Sequence, residues 1–212
     1  MAIYRPKEIF ASSEFKILLE QLYKPVAWGY VTRRTQMDTP KELLVVERIK
    51  PDDILRKGEL VLPGGGLKGN ETYEQTAMRE VEEEAGVFAM PTGKSRFSNL
   101  SEYIILKPRE KIIGIVEPAG NMWVYYKDSG KSYHGKMIDL LPRTKPKLEK
   151  ITDAKNPKYI AIRDAFKQKN NFTPACQILL EIIESAEFKK DLFKEDDLLL
   201  ENEDIKTYIK PT

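Results

Sequence analysis

The stretch from Gly65 to Val87, GGLKGNETYEQTAMREVEEEAGV, constrains the chain more than any other. Its middle is predicted to form one helix. Thr72 and Gln75 have capping-box spacing at its start, and Gly86 stands where a helix needs a residue that can turn left-handed. At about 100° per residue, Glu80, Glu83 and Glu84 share an arc of roughly 100°. Ala77, Met78, Val81 and Ala85 fill the neighbouring arc, which suits packing on a sheet. Carboxylates at i, i+3 and i+4 repel one another. Either they face water or a cation sits among them. Oxygen ligands of this kind suit a hard divalent ion, Mg²⁺ above all where a substrate brings phosphates.

The fixed positions spell a longer pattern. Gly65, Glu71, Arg79, Glu80, Val81, Glu83, Glu84, Gly86 and Val87 match the Nudix box, G-x5-E-x7-R-E-U-x-E-E-x-G-U with U a bulky aliphatic residue, at every fixed place. Leu62-Pro63-Gly64 ahead of it is also usual in that family. The chain therefore resembles the Nudix hydrolases, strongly over this loop and helix, more weakly over the flanking strands, and not at its two ends. The resemblance implies an α/β fold, an α/β/α sandwich around a mixed β-sheet with the box helix on one face. It implies Mg²⁺-dependent hydrolysis of a nucleoside diphosphate linked to another moiety, with Mn²⁺ as the alternative ion. The metal ligands carried over are Glu80, Glu83, Glu84 and the backbone carbonyl of Gly64. Glu80, Glu83 and Arg79 are expected at the reacting centre, Arg79 by pairing with and orienting a carboxylate, for which Glu71 is a candidate. The general base is open between a box glutamate and a carboxylate on a later loop. Asp153 is the first candidate on such a loop, ahead of Glu149 and Glu117.

The rest of the chain sets bounds. Its 212 residues suffice for one domain with extensions. A net charge of +2 is too small to argue for nucleic acid. Cys176 is the only cysteine, so no intramolecular disulfide can form, and the apolar run after it marks a core thiol. No apolar run reaches the length of a membrane span, and the first residues lack a signal-peptide core. A soluble cytoplasmic protein without a membrane partner is expected.

Residues 1–25 read as a helical extension, with Phe15, Leu18, Leu19, Leu22 and Tyr23 at helical spacing. Residues 26–186 read as the hydrolase domain, and 187–212 as an acidic and apolar tail that packs, contacts a second copy in a homodimer, or stays partly ordered. Strands are predicted at 26–33, 43–49, 59–62, 103–106, 112–116, 122–126, 133–141 and 158–166. Residues 142–157 read as a Lys- and Pro-rich surface loop. Pro174 opens an amphipathic helix over 175–186, where the family has its second large helix. The glycines at 64–66 lack a following Lys-Ser or Lys-Thr, which excludes a Walker-type phosphate loop.

For the substrate, Arg48 and Arg33 near strand ends are candidate phosphate contacts. Trp28, Tyr30, Trp123 and Tyr125 alternate on strands, so each either packs in the core or stacks a base. His134, the only histidine, is a weaker candidate. Three functions compete: an active pyrophosphohydrolase on a small nucleotide, a silent nucleotide-binding module, and an RNA cap-processing hydrolase. The complete set of box carboxylates favours the first. Binding to nucleic acid is not expected.

Overall fold

The computed structural model describes residues 2–4, 11–19, 22–34, 41–49, 58–93, 103–109, 111–117, 121–147 and 154–192. In chain order these form β1 (Ala2–Tyr4), α1 (Ser13–Leu19), β2 (Tyr23–Arg33), β3 (Glu42–Arg48), β4 (Leu60–Val61), β5 (Gly64–Gly66), α2 (Tyr73–Ala85) and β6 (Ala89–Pro91). There follow β7 (Tyr103–Leu106), β8 (Ile112–Val116), β9 (Asn121–Tyr126), β10 (Lys131–Pro142), β11 (Ala154–Ala161), α3 (Ile162–Lys167) and α4 (Pro174–Leu192).

One mixed sheet runs in the order β1-β7-β8-β9-β10-β2-β3-β11, with β4 beside β3, β5 beside β2 and β6 beside β10. The β10–β2 pair is parallel and the others antiparallel. Side chains alternate across β2, so the strand feeds two cores. Val26, Trp28 and Tyr30 join the α4 core with Ile178, Leu179, Ile182 and Ile183. Ala27 and Val31 join the α2 core with Ala77, Val81 and Ala85. Phe15 and Leu18 of α1 cover Ile105, Ile113 and Ile115. The sheet between helices is the expected α/β/α arrangement.

Helix α2 is capped as its sequence demands. Gln75 N–H donates to the Thr72 hydroxyl at 3.2 Å, and Thr72 N–H donates to the Gln75 side chain at 2.8 Å. Gly86 takes the left-handed conformation (φ 62°) and its N–H closes on the Glu82 carbonyl. Gly29 allows the helix to lie against β2, because a Cβ there would overlap Val81 of α2. Gly29→Ala is expected to cost about 1–3 kcal/mol through overpacking, seen as a lower urea midpoint at unchanged m-value.

Several sequence expectations are corrected. Tyr23 begins β2, paired with Ser132, and Leu22 lies outside α1 and is almost fully exposed, so the extension's helix stops earlier than its apolar spacing suggests. The glycines 64–66 are a paired strand, lying beside Trp28, Ala27 and Val26, and β1 and β6 escaped the sequence reading. The last strand is Ala154–Ala161, and residues 162–167 are helical. Pro157 is tolerated there because the register skips between Lys155 and Lys158, so no ladder hydrogen bond is lost. Helix α4 runs on to Leu192, and the tail beyond it lies outside the described residues. No helix among the described residues is long and apolar enough to cross a membrane.

Candidate active site

The N-terminal approach to α2 brings a glycine strand alongside a row of helix carboxylates. At its centre is Arg79, whose side chain is only 18% exposed. Its Nε donates to Glu71 Oε1 at 2.8 Å and its Nη2 to Glu71 Oε2 at 3.0 Å. Nη2 also donates to the Gly66 carbonyl at 3.0 Å, and Nη1 donates to Glu80 at 2.5 Å and Glu83 at 3.1 Å. A planar fork is suited to such a set, because its five donors leave in fixed directions. Glu71 also accepts from Lys68 N–H at 3.0 Å and from the Thr76 hydroxyl at 2.9 Å. The Arg79 guanidinium, then these donors, hold the Glu71 carboxyl down to about 2. Arg79 in turn is pushed further up by Glu71 and Glu80.

Glu83 also reaches outward from this knot, and Glu84 turns away from it. Glu83 is 43% exposed, and the Lys68 ammonium lies 3.3 Å from one of its oxygens. Glu84 turns toward the glycine strand, where its Oε2 accepts from Gly64 N–H at 3.0 Å. Glycine is required at 64, and a side chain at 65 would displace a carboxylate of the cluster. A Cβ on Gly64 would stand 2.6 Å from the Ala27 carbonyl oxygen, and one on Gly65 would fall on the Glu80 carboxylate.

Glu84 and Gly64–Gly66 border a cavity of about 210 Å³ on the α4 side of the sheet. Its walls are Trp28, Tyr126 and Tyr133, with Arg48 and Lys131 as cations and Thr173 and Cys176 from the start of α4. Tyr126 and Tyr133 meet edge to face at 5.8 Å. Cys176 is buried, its sulfur accepts from Leu62 N–H at 3.2 Å, and burial pushes its thiol up to about 11.

The sequence candidates thus separate. Glu80, Glu83, Glu84, Arg79 and Gly64 are gathered at one place, and Arg48 lies on the cavity beside them. Arg33 does not line the cavity: it pairs with Glu42 at 2.8 Å and covers the ring of Tyr159 at 3.9 Å. Of the four aromatics, Trp28 reaches the cavity, Tyr30 is fully buried, and Trp123 and Tyr125 pack toward α1 on the other face. His134 follows Tyr133 on β10 and so points away from the cavity. It stacks on Trp123 at 4.3 Å, and both meet Glu117, Trp123 at 2.6 Å and His134 at 3.4 Å. Burial pushes the Glu117 carboxyl up, but His134 and Trp123 outweigh it and the net direction is down. Asp153 and Glu149 lie outside the described residues. The sequence reading missed Lys68, Tyr126, Lys131, Tyr133 and Thr173. Period-two alternation through Val124 and Tyr126 was the available signal for one wall; nothing local marked the others.

Among the described residues, no group of three His, Cys, Asp or Glu side chains is arranged around one point as a ready metal site. The reason is visible in the pairs above: Glu80 and Glu83 are drawn to Arg79, Glu83 also to Lys68, and Glu84 to Gly64. The donor chemistry nevertheless fits a hard cation, being all carboxylate and backbone oxygen beside a glycine strand free of side chains.

The chain carries a NUDIX domain match: residues 24–111 fit the family model of that description. The fold is similar to that of a NUDIX hydrolase from Nitrosomonas europaea, at 17% identity and TM-score 0.53, covering 77% of this chain and 90% of that one. It is also similar to the MutT protein from Methanosarcina mazei Go1, at 16% identity and TM-score 0.53, covering 81% and 97%. At these identities the likeness is one of Nudix fold. A comparison with curated proteins gave no match.

Proposed function

We propose that the chain is a Mg²⁺-dependent pyrophosphohydrolase that cleaves a nucleoside diphosphate linked to another moiety. The observation that carries this reading is the adjacency of the Arg79-centred carboxylates to an aromatic cavity, joined through the Glu84–Gly64 contact. Glu80, Glu83, Glu84 and the Gly64 carbonyl would hold Mg²⁺, or Mn²⁺ in its place. When bound, the ion supplies charge neutralisation and an acidified water. The chain's own residues do the rest. Arg79 holds Glu71 through two hydrogen bonds and keeps Glu80 and Glu83 beside it. Trp28, Tyr126 and Tyr133 exclude water and offer ring surface to a base. Arg48 and Lys131 balance the substrate's negative charge. Water attacks one phosphorus, the bridging P–O bond breaks, and the departing phosphate takes the bond's electron pair.

The attacking water's proton goes to a carboxylate, and Asp153 is our first choice. Its neighbour in sequence, Ala154, opens β11 opposite Arg48, which lines the cavity. Asp153→Asn is expected to lower kcat strongly at neutral pH with KM nearly unchanged, because the lost interaction belongs to the transition state. A variant working at close to the parental rate would move the role to Glu80. The hydrolase unit in this reading is 26–186, with 1–25 and 187–212 as flanks and a homodimer left open. The function is tested by phosphate release over a panel of nucleoside diphosphate derivatives, with and without Mg²⁺. Binding without release across the panel would favour a silent module instead.

A further inference from the structure

We propose that Lys68 is a resident counter-ion of the carboxylate cluster, seated on Glu83 in the absence of a divalent cation and handed over to a substrate phosphate in its presence. The inference rests on reading the cluster as a metal site. The Lys68 ammonium lies between the two Glu83 oxygens, at 3.3 and 3.4 Å. Arg79 reaches Glu83 as well, but it is locked by Glu71, Glu80 and the Gly66 carbonyl and is little exposed. Lys68 is 62% exposed, and its ammonium touches the cluster through Glu83. Its backbone is pinned at both ends of a turn: Lys68 N–H donates to the Glu71 carboxylate, Glu71 N–H donates to the Lys68 carbonyl, and Gly69 supplies the left-handed bend at φ +55°.

The consequence is a fixed backbone carrying a movable side chain. An ammonium and a divalent ion on one carboxylate repel, and the weaker, solvated partner yields. Arg79 cannot be that partner without leaving Glu71 and Glu80. Lys68 can leave by rotating its four-carbon chain, which holds a compact charge without fixed geometry. Once off Glu83 it remains tethered beside the cluster, where an anionic group accompanying the metal restores its charge pairing. Metal entry and phosphate capture are then two halves of one exchange.

The test uses Lys68→Met in the full chain, which keeps most of the stem and removes the charge. Mn²⁺ binding to metal-free protein is followed by the electron paramagnetic resonance of free Mn²⁺. The variant is expected to bind about two- to fivefold more tightly, the range for losing a competing exposed ion pair. Imidodiphosphate, titrated calorimetrically in saturating Mg²⁺, is expected to bind about fivefold more weakly or worse. Lys68→Arg should restore both affinities toward the parent. Opposite changes in the two affinities support the exchange; Mn²⁺ binding that is unchanged or weaker, or imidodiphosphate binding that is unchanged, overturns it. Mn²⁺ affinity that survives both Glu83→Gln and Glu84→Gln would overturn the metal reading itself, and the inference with it.

Discussion

Glu84→Gln is expected to lower turnover at least about a hundredfold while leaving the protein folded. Losing an outer-shell partner of a metal ligand costs about 10- to 100-fold, and a ligand's own charge should cost no less. The structure makes this substitution clean. Glu84 accepts from Gly64 N–H through one oxygen, and a glutamine carbonyl can accept the same hydrogen bond. The contact between helix and glycine strand therefore survives, while one negative charge leaves a crowded row. Glu83→Gln should behave similarly, since its amide carbonyl can still accept from Arg79 and its exposed pairing with Lys68 contributes little to stability. Circular dichroism melts should match the parent, with activity measured across a Mg²⁺ titration. Variants that unfold would make these carboxylates structural; variants with near-parental activity in limiting Mg²⁺ would make them merely solvated.

The parts of the fold that were legible in the sequence are those governed by local chemistry. Thr72, Gln75 and Gly86 write the ends of α2 in hydrogen bonds made within a few residues, and the alanines and Val81 write its buried face. Pro174 does the same for α4. What could not be read depends on pairing between distant segments. Gly64–Gly66 has no side chain to show strand alternation, and it is a strand because β2 supplies the partner. Tyr23 continues the apolar spacing of α1, yet parallel pairing with β10 claims it. Pro157 argues against a strand until the skipped register between Lys155 and Lys158 makes room for it. The site divides in the same way. Its carboxylates sit at fixed spacing on one helix, whereas the cavity wall draws Trp28, Tyr126, Tyr133 and Cys176 from separate elements, and only the sheet order brings them together. Arg33 and Arg48 look alike as strand-end cations. Glu42 and Tyr159 engage the first and the cavity takes the second.

Arg79→Met is expected to damage stability and activity together, and to change how both respond to acid. The guanidinium serves three carboxylates and one carbonyl, so its removal leaves Glu71, Glu80 and Glu83 facing one another without their common cation. Arg79→Lys should rescue little, because one ammonium cannot hold Glu71 through two donors while reaching Glu80 and Gly66. Turnover should fall about 10- to 100-fold, as when the group that orients a metal ligand is lost. The pH dependence identifies the partner. Glu71 titrates near 2 in the folded protein against an ordinary 4.5. A carboxylate depressed in this way stabilises the fold above its unfolded pKa, and the contribution is lost as pH falls through the folded one. The gap between parent and Arg79→Met should therefore be full at pH 7 and narrow from about pH 5 toward pH 2. Urea midpoints at pH 7, 5 and 3 in the presence of a chelator would measure it. A gap that keeps its neutral-pH size at pH 3 would mean that the Glu71 pair is not what Arg79 contributes to the fold.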